Sequence, residues 1–325
     1  MRRTSILLAM GLLLSVAGNA LAADKVTLLL NWYTYGEHAP FYLGLADGIY
    51  AKQGIELEIQ EGRGSGVTVQ AVGAGSATFG YADIGTMIKA ASKGTPVKAV
   101  GILLQTSPMS AMGFAAKGIE APKDFPGKTV VLTPGDSFSQ IWPVLLKLNN
   151  IPEGEIKILS GDAATKRNAV VNGQADLLLG NINDQKPTIE EVTGKPIKAV
   201  LFSDFGVNTV NGGLFANTDT ITAKPDLVKR FMLASTLAAE AAQKDPAAAV
   251  AALLKAAPKA GKVETVSASW AVTMPLLHTK RTLSDRPFHA SKEDVAETMD
   301  VMAKYGGVEV KTSEVDKYYT NEFLP

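Results

Sequence analysis

Apolar and polar positions along this chain repeat with two periods, one of two residues and one close to four, and the two alternate. A first strand is expected at 25–31. Helical spacing follows over 39–52, and Gly54 closes it as a residue free to turn left-handed. "GIELEIQ" then sets Ile55, Leu57 and Ile59 on one face, the mark of a half-buried strand. A second helix is expected at 67–77 and a further strand at 97–104.

From about Ser107 the rhythm restarts. "GKTVVL" reads as a strand, "GDSFSQIWPVLLKLNN" as a loop and helix, "EIKILS" as a strand, "ATKRNAVVNGQA" as a helix, and "DLLLG" and "IKAVLFS" as strands. Strands alternating with helices at these intervals imply βαβ units with parallel sheets, hence two α/β lobes.

The last third is helical. "DLVKRFMLASTLAAEAA" lines up Leu227, Phe231, Ala234, Ala238 and Ala241. Asp245 and Pro246 start the next helix as N-cap and first helical residue. "SKEDVAETMDVMAKYGG" has a capping box, Ser291 with Asp294, and a stop at Gly306. These read as packing helices.

Composition narrows the function. The chain has 325 residues, of which 46% are hydrophobic, with 32 basic and 32 acidic side chains. A net charge of zero and no basic stripe argue against nucleic acid or an anionic membrane surface as partner. Arg2 and Arg3, an apolar run over 6–16 and Ala20-Leu21-Ala22 read as a secretory signal cleaved after residue 22, the run being shorter than the roughly 20 residues of a membrane span. There is no cysteine, which removes lipid anchoring, disulfides and thiolate chemistry. A periplasmic monomer is expected.

Several chemistries lack their motifs. The histidines, His38, His278 and His289, have no metal-binding spacing, and neither a G-x-S-x-G elbow nor a P-loop occurs. "GRGSG" at 62–66 follows a strand, but Val67 stands where a dinucleotide fingerprint needs its third glycine. Neither cofactor nor metal is expected. The loop is either a turn whose glycines permit positive φ or, with Arg63 and Ser65 beside its amides, a receptor for an anion or a polar ligand edge.

In open α/β sheets a ligand sits beyond the carboxyl ends of the strands. Segment 31–42, "NWYTYGEHAPFY", falls at such an end and concentrates aromatic rings, a carboxylate and an imidazole. Trp32, Tyr35, Phe41 and Tyr81 are candidates for stacking on a flat ring. Glu37 could accept from an exocyclic amine, with His38 beside it. Asn31, Ser137 and Asn181 could pair with ring nitrogens or oxygens, and Asp83 ends a later strand at the same level. For each aromatic alone, core packing is the competing reading.

"LLLNWYTYGEHAPFYLGLADGIYAKQGIELEI" followed by "GRGSGVTVQAVGAGSATFGYADIGTM" resembles the NMT1/Thi5-like family, the thiamine-pyrimidine branch of periplasmic ABC-transporter solute-binding proteins, related to the sulfonate and nitrate binders. The resemblance implies a type II binding fold with a ligand cleft and two crossovers: lobe one from 23–107 and 207–325, lobe two from 108–206. It implies capture of a small flat heterocycle, a hydroxymethylpyrimidine or formylaminopyrimidine, and delivery to an ABC permease in the inner membrane. Riboflavin and a sulfonate- or nitrate-type anion are the alternatives. The chain is expected not to be an enzyme, because the Thi5 enzymes use a cysteine cluster and this chain has none; an exported enzyme on the same scaffold is the minor reading.

Overall fold

The structure is a computed structural model that describes residues 22–325; the signal segment expected at 1–22 lies outside them except for its last residue. Ten strands form two five-stranded sheets. They are β1 (Asp24–Leu29), β2 (Ile55–Gln60), β3 (Phe79–Asp83), β4 (Val97–Ile102), β5 (Met109–Phe114), β6 (Thr129–Leu132), β7 (Lys157–Ser160), β8 (Leu177–Asn181), β9 (Ile197–Leu201) and β10 (Gly212–Asn217). The first sheet has the order β2-β1-β3-β10-β4 and the second β7-β6-β8-β5-β9, with helices packed on both.

Parallel sheets were expected, and both are mixed. β10 runs antiparallel to β3 and β4, and β5 antiparallel to β8 and β9. The cause is the crossovers. β4 ends at the cleft and the chain enters the other lobe there, so Met109 opens β5 opposite Asn181, the last residue of β8. β10 likewise opens with Gly212 opposite Asp83, the last residue of β3. Neither strand stands out in the sequence, because "MSAMGF" and "GGLFAN" are short, lack alternation and carry glycine.

Other elements differ in detail. The helix expected over 39–52 is two, Ala39–Ala46 and Ile49–Lys52, divided at Gly48 with φ +65°, and a 3-10 turn at Gly36–His38 precedes them. β2 behaves as its alternation predicts, burying Ile55 and Leu57 and exposing Glu56 and Glu58 at the sheet edge, where charge discourages further pairing. In the first lobe Phe79 stacks on Phe231 at 3.9 Å, and Trp270 donates its indole N–H to the Ala242 carbonyl at 3.2 Å. The second lobe packs Phe125 against Trp142 of the helix Phe138–Leu148. Helix Lys292–Tyr305 serves both lobes: Val295 and Met299 join the core around β3 and β4, while Met302 joins that of the second lobe. Among the described residues no helix is long and apolar enough to cross a membrane.

The glycine loop after β2 explains how the cleft floor is held. Gly62 and Gly64 donate their N–H groups to the carbonyls of Trp32 (3.0 Å) and Asn31 (2.9 Å), fastening this loop to the aromatic one. The approach leaves no room for a side chain at Gly62, where a Cβ would lie 1.9 Å from the Leu30 oxygen, and Gly64 adopts φ +134°. Gly62→Ala should therefore lower stability by about 1–3 kcal/mol, the cost of overpacking a filled site. Urea unfolding of the variant checks it, and an unchanged midpoint would show that the two loops are not tightly coupled.

Candidate functional site

The aromatic segment after β1 forms a stair of rings that runs from the cleft into the first lobe. Trp32 meets Tyr33 at 5.8 Å, Tyr33 meets Tyr35 at 6.1 Å, Tyr35 stands edge-on to His38 at 4.5 Å, and His38 and Phe41 flank Tyr81 at 5.7 and 5.3 Å. Only the upper end of the stair reaches the cleft. Asn31, Trp32, Tyr35 and Ser65 from the first lobe face Asp136, Ser137, Phe138, Lys166, Asn181 and Asp184 from the second across a small cavity. A wider groove of about 800 Å³ adjoins it and shares Trp32, Tyr35 and Asp184.

The remaining candidates lie behind or beside that cavity. Glu37 is fully buried and accepts from the Tyr35 hydroxyl at 2.7 Å, the Tyr81 hydroxyl at 2.8 Å and the Asn183 amide at 2.8 Å. Burial raises its pKa against the pull of those donors. The hydroxyls of Tyr35 and Tyr81 titrate well above the usual tyrosine range, chiefly through burial and then through the adjacent Glu37. Phe41 is fully buried against Tyr81. Asp83 caps the helix Ile84–Ser92, accepting from the Thr86 N–H and hydroxyl at 2.6 Å each and from the Asn211 amide at 3.1 Å; burial lifts its pKa to about 6. Arg63 is exposed and lines the wider groove.

The glycine loop is not an open nest of amides. Besides Gly62 and Gly64, Gly66 is engaged: its N–H donates across the cleft to the Gly135 carbonyl at 3.2 Å. An anion at these three amides would have to displace these partners.

Three further residues stand at the cleft: Lys166, which sequence reasoning did not single out, and Asn183 and Asp184, which fall in the strand-end segment 181–184 but were not chosen as candidates. Lys166 sits in the first turn of helix Ala163–Val171, only 2% exposed, with its ammonium 3.4 Å from Asp136 Oδ2 and 3.0 Å from the Leu179 carbonyl. It lies 5.2 Å from the ring centre of Trp32 and 5.7 Å from that of Phe138. Asp184 accepts from the Tyr33 hydroxyl at 2.5 Å and the Gln185 amide at 2.6 Å, and burial raises its pKa. Asn183 reaches from the second lobe to Glu37 and to the Thr273 hydroxyl at 2.8 Å. The strand-end rule marks the turn after β7 in which Lys166 lies, but nothing in the local pattern singles out the lysine.

Two α/β lobes with mixed sheets and a cleft at the crossovers define the type II periplasmic binding protein fold. The family description "NMT1/THI5 like" matches residues 36–249, and the chain belongs to that family. A relative in Legionella pneumophila, 26% identical over 93% of both chains, is named 4-amino-5-hydroxymethyl-2-methylpyrimidine phosphate synthase. The formylaminopyrimidine-binding protein of Halalkalibacterium halodurans is 26% identical over 62% of both chains. The fold is shared with the alkanesulfonate-binding protein SsuA of Xanthomonas axonopodis pv. citri (TM-score 0.67, 16% identity, 93% of this chain and 99% of that one). It is shared too with the periplasmic nitrate-binding protein NrtA of Synechocystis PCC 6803 (TM-score 0.71, 11% identity, 93% and 87%).

One expectation is corrected by these relatives. Lack of cysteines and of familiar motifs suggested that the chain is not an enzyme, yet a relative matched over nearly its whole length is named as a synthase. Missing motifs therefore do not exclude catalysis on this scaffold, since one fold hosts unrelated functions.

His38 provides a titration test. Its Nδ1 accepts from the Tyr35 N–H at 3.4 Å and its Nε2 lies 2.8 Å from Asn31 Oδ1, so Nε2 carries the proton. Burial lowers its pKa to about 3. Between pH 6.5 and about 3 the unfolded chain takes up a proton that the folded one refuses, so acidification removes stability. Buried Asp83 acts in the opposite sense between pH 3.8 and 6. The His38 contribution is isolated by difference: relative to His38→Gln, the wild type should lose up to about 1.4 kcal/mol per pH unit across that window. Chemical denaturation at stepped pH measures it; parallel curves would mean that the imidazole is not held neutral.

Proposed function

We propose that this protein captures a small flat heterocycle, a thiamine-precursor aminopyrimidine, between its lobes and delivers it to an ABC permease in the inner membrane. In this reading the chain is exported, loses residues 1–22 and works in the periplasm as a monomer. The observation that carries it is the composition of the cleft. Aromatic rings and short polar side chains from both lobes converge at the carboxyl ends of the strands, as expected of a site for a planar, polar-edged ligand. The name of the Halalkalibacterium halodurans relative supports the pyrimidine class. An anion finds less support, because the glycine amides are engaged and Asp136 and Asp184 face the cavity.

Capture requires motion. The free space inside the small cavity is about 30 Å³, room for about two water molecules, so a ring enters only when the lobes part. The bonds that close the cleft, Tyr33 to Asp184, Asn183 to Glu37 and Gly66 to Gly135, join the two lobes directly. A ligand that touches both lobes stabilises the closed state by its differential affinity.

Native mass spectrometry of protein purified from the periplasm without denaturation tests the reading, with an aminopyrimidine adduct as the expected result. An adduct of sulfonate or flavin mass would replace the ligand class. Titration with 4-amino-5-hydroxymethyl-2-methylpyrimidine should show Trp32→Ala binding weaker by about 1–3 kcal/mol if the indole stacks on the ring. Recovering the titrated compound and weighing it reports any turnover.

A further inference from the structure

Two polar groups in the cleft are incompletely matched by the protein, and together they describe an edge of the ligand. An ammonium has three N–H donors. That of Lys166 makes one bond at 3.0 Å to the Leu179 carbonyl and one long contact at 3.4 Å to Asp136, which leaves a donor without a protein partner on a side chain only 2% exposed. On the same second-lobe wall of the cavity Asn181 Oδ1 is buried and meets no donor among the described residues. Buried polar groups of this kind are costly unless something pairs with them.

We propose that Lys166 and Asn181 are the specificity-determining pair of the cleft, and that they read a ligand edge on which a hydrogen-bond acceptor stands beside a donor, as in an amidine or an amide. Lys166 donates to the acceptor and Asn181 Oδ1 takes the donor. Trp32 and Phe138, each within 6 Å of the ammonium, line the cavity from opposite lobes and confine the ring that carries this edge. A neutral edge fits better than an anion because Asp136 and Asp184 line the same space and would repel a further negative charge. This rests on the cleft being a heterocycle site and adds which atoms of the heterocycle are recognised and by which residues.

The test is a cycle between protein and ligand, read by isothermal titration calorimetry. The probes are 4-amino-5-hydroxymethyl-2-methylpyrimidine, its analogue with C–H in place of the ring nitrogen beside the amino-bearing carbon, and its analogue without the amino group. The proteins are wild type, Lys166→Met and Asn181→Leu. Wild type should bind the first analogue about 10- to 100-fold more weakly than the parent, the range for a bond to a charged donor, and the second about 3- to 10-fold more weakly. Lys166→Met should weaken the parent by the first factor while leaving the ring-carbon analogue at its wild-type affinity; Asn181→Leu should behave likewise toward the compound without the amine. Wild type binding all three probes alike, or variants that weaken all three equally, overturns the assignment while leaving the heterocycle site in place. If wild type binds none of them, the assignment and the pyrimidine reading fall together. Should Lys166→Met not fold, the analogue series on the wild type decides alone.

Discussion

Glu37 has no access to water, and much of the cleft's architecture answers to that fact. A carboxylate withdrawn from solvent needs donors, each bond to the charged group contributing about 1.5–3 kcal/mol. Two of them, the hydroxyls of Tyr35 and Tyr81, come from the first lobe and are themselves held in the stair of rings. The third comes from Asn183 in the turn just after β8 in the second lobe. In the capture cycle proposed above, opening the lobes breaks the Asn183 bond and lets water take its place at Glu37. A swap of one donor for another leaves a small difference between the two states, which a ligand of ordinary affinity can then decide.

Much of this was legible in the sequence, for reasons that differ by element. Edge strand β2 could be read because one of its faces is wet, so Ile55, Leu57 and Ile59 alternate with Glu56, Glu58 and Gln60. β5 and β10 are buried throughout most of their lengths, carry small residues and have no alternation to show. Among site residues, the rule that ligands gather at strand ends brought out Asn31, Trp32, Tyr35, Ser65, Ser137 and Asn181, all of which border the cavity. It could not separate them from Glu37, His38, Phe41 and Tyr81, because depth along a ring stair depends on the turn at Gly36–His38, which local pattern does not reveal. Lys166 escaped notice because a lysine in a polar helix looks solvated until the packing shows where its ammonium goes.

The relatives also illustrate how little separates holding a molecule from changing it. Proteins named for binding and a protein named as a synthase match the same chain at similar identity. Burial raises the pKa values of Asp136 and Asp184, which line the cavity, and lowers that of His38 behind it.

The crossovers also set an order of assembly. All strands of the second sheet lie within residues 109–201, so it can close as soon as that stretch is available. The first sheet cannot: its fourth strand in space is β10, which follows the whole second lobe, and the Ala99–Tyr319 bridge joins β4 to nearly the last residues of the chain. In a chain delivered amino end first, the half that begins the sequence therefore finishes last. Until then β3 and β4 lack the neighbour that separates them, and a factor that shields unpaired strand edges would act on this half longer than on the other.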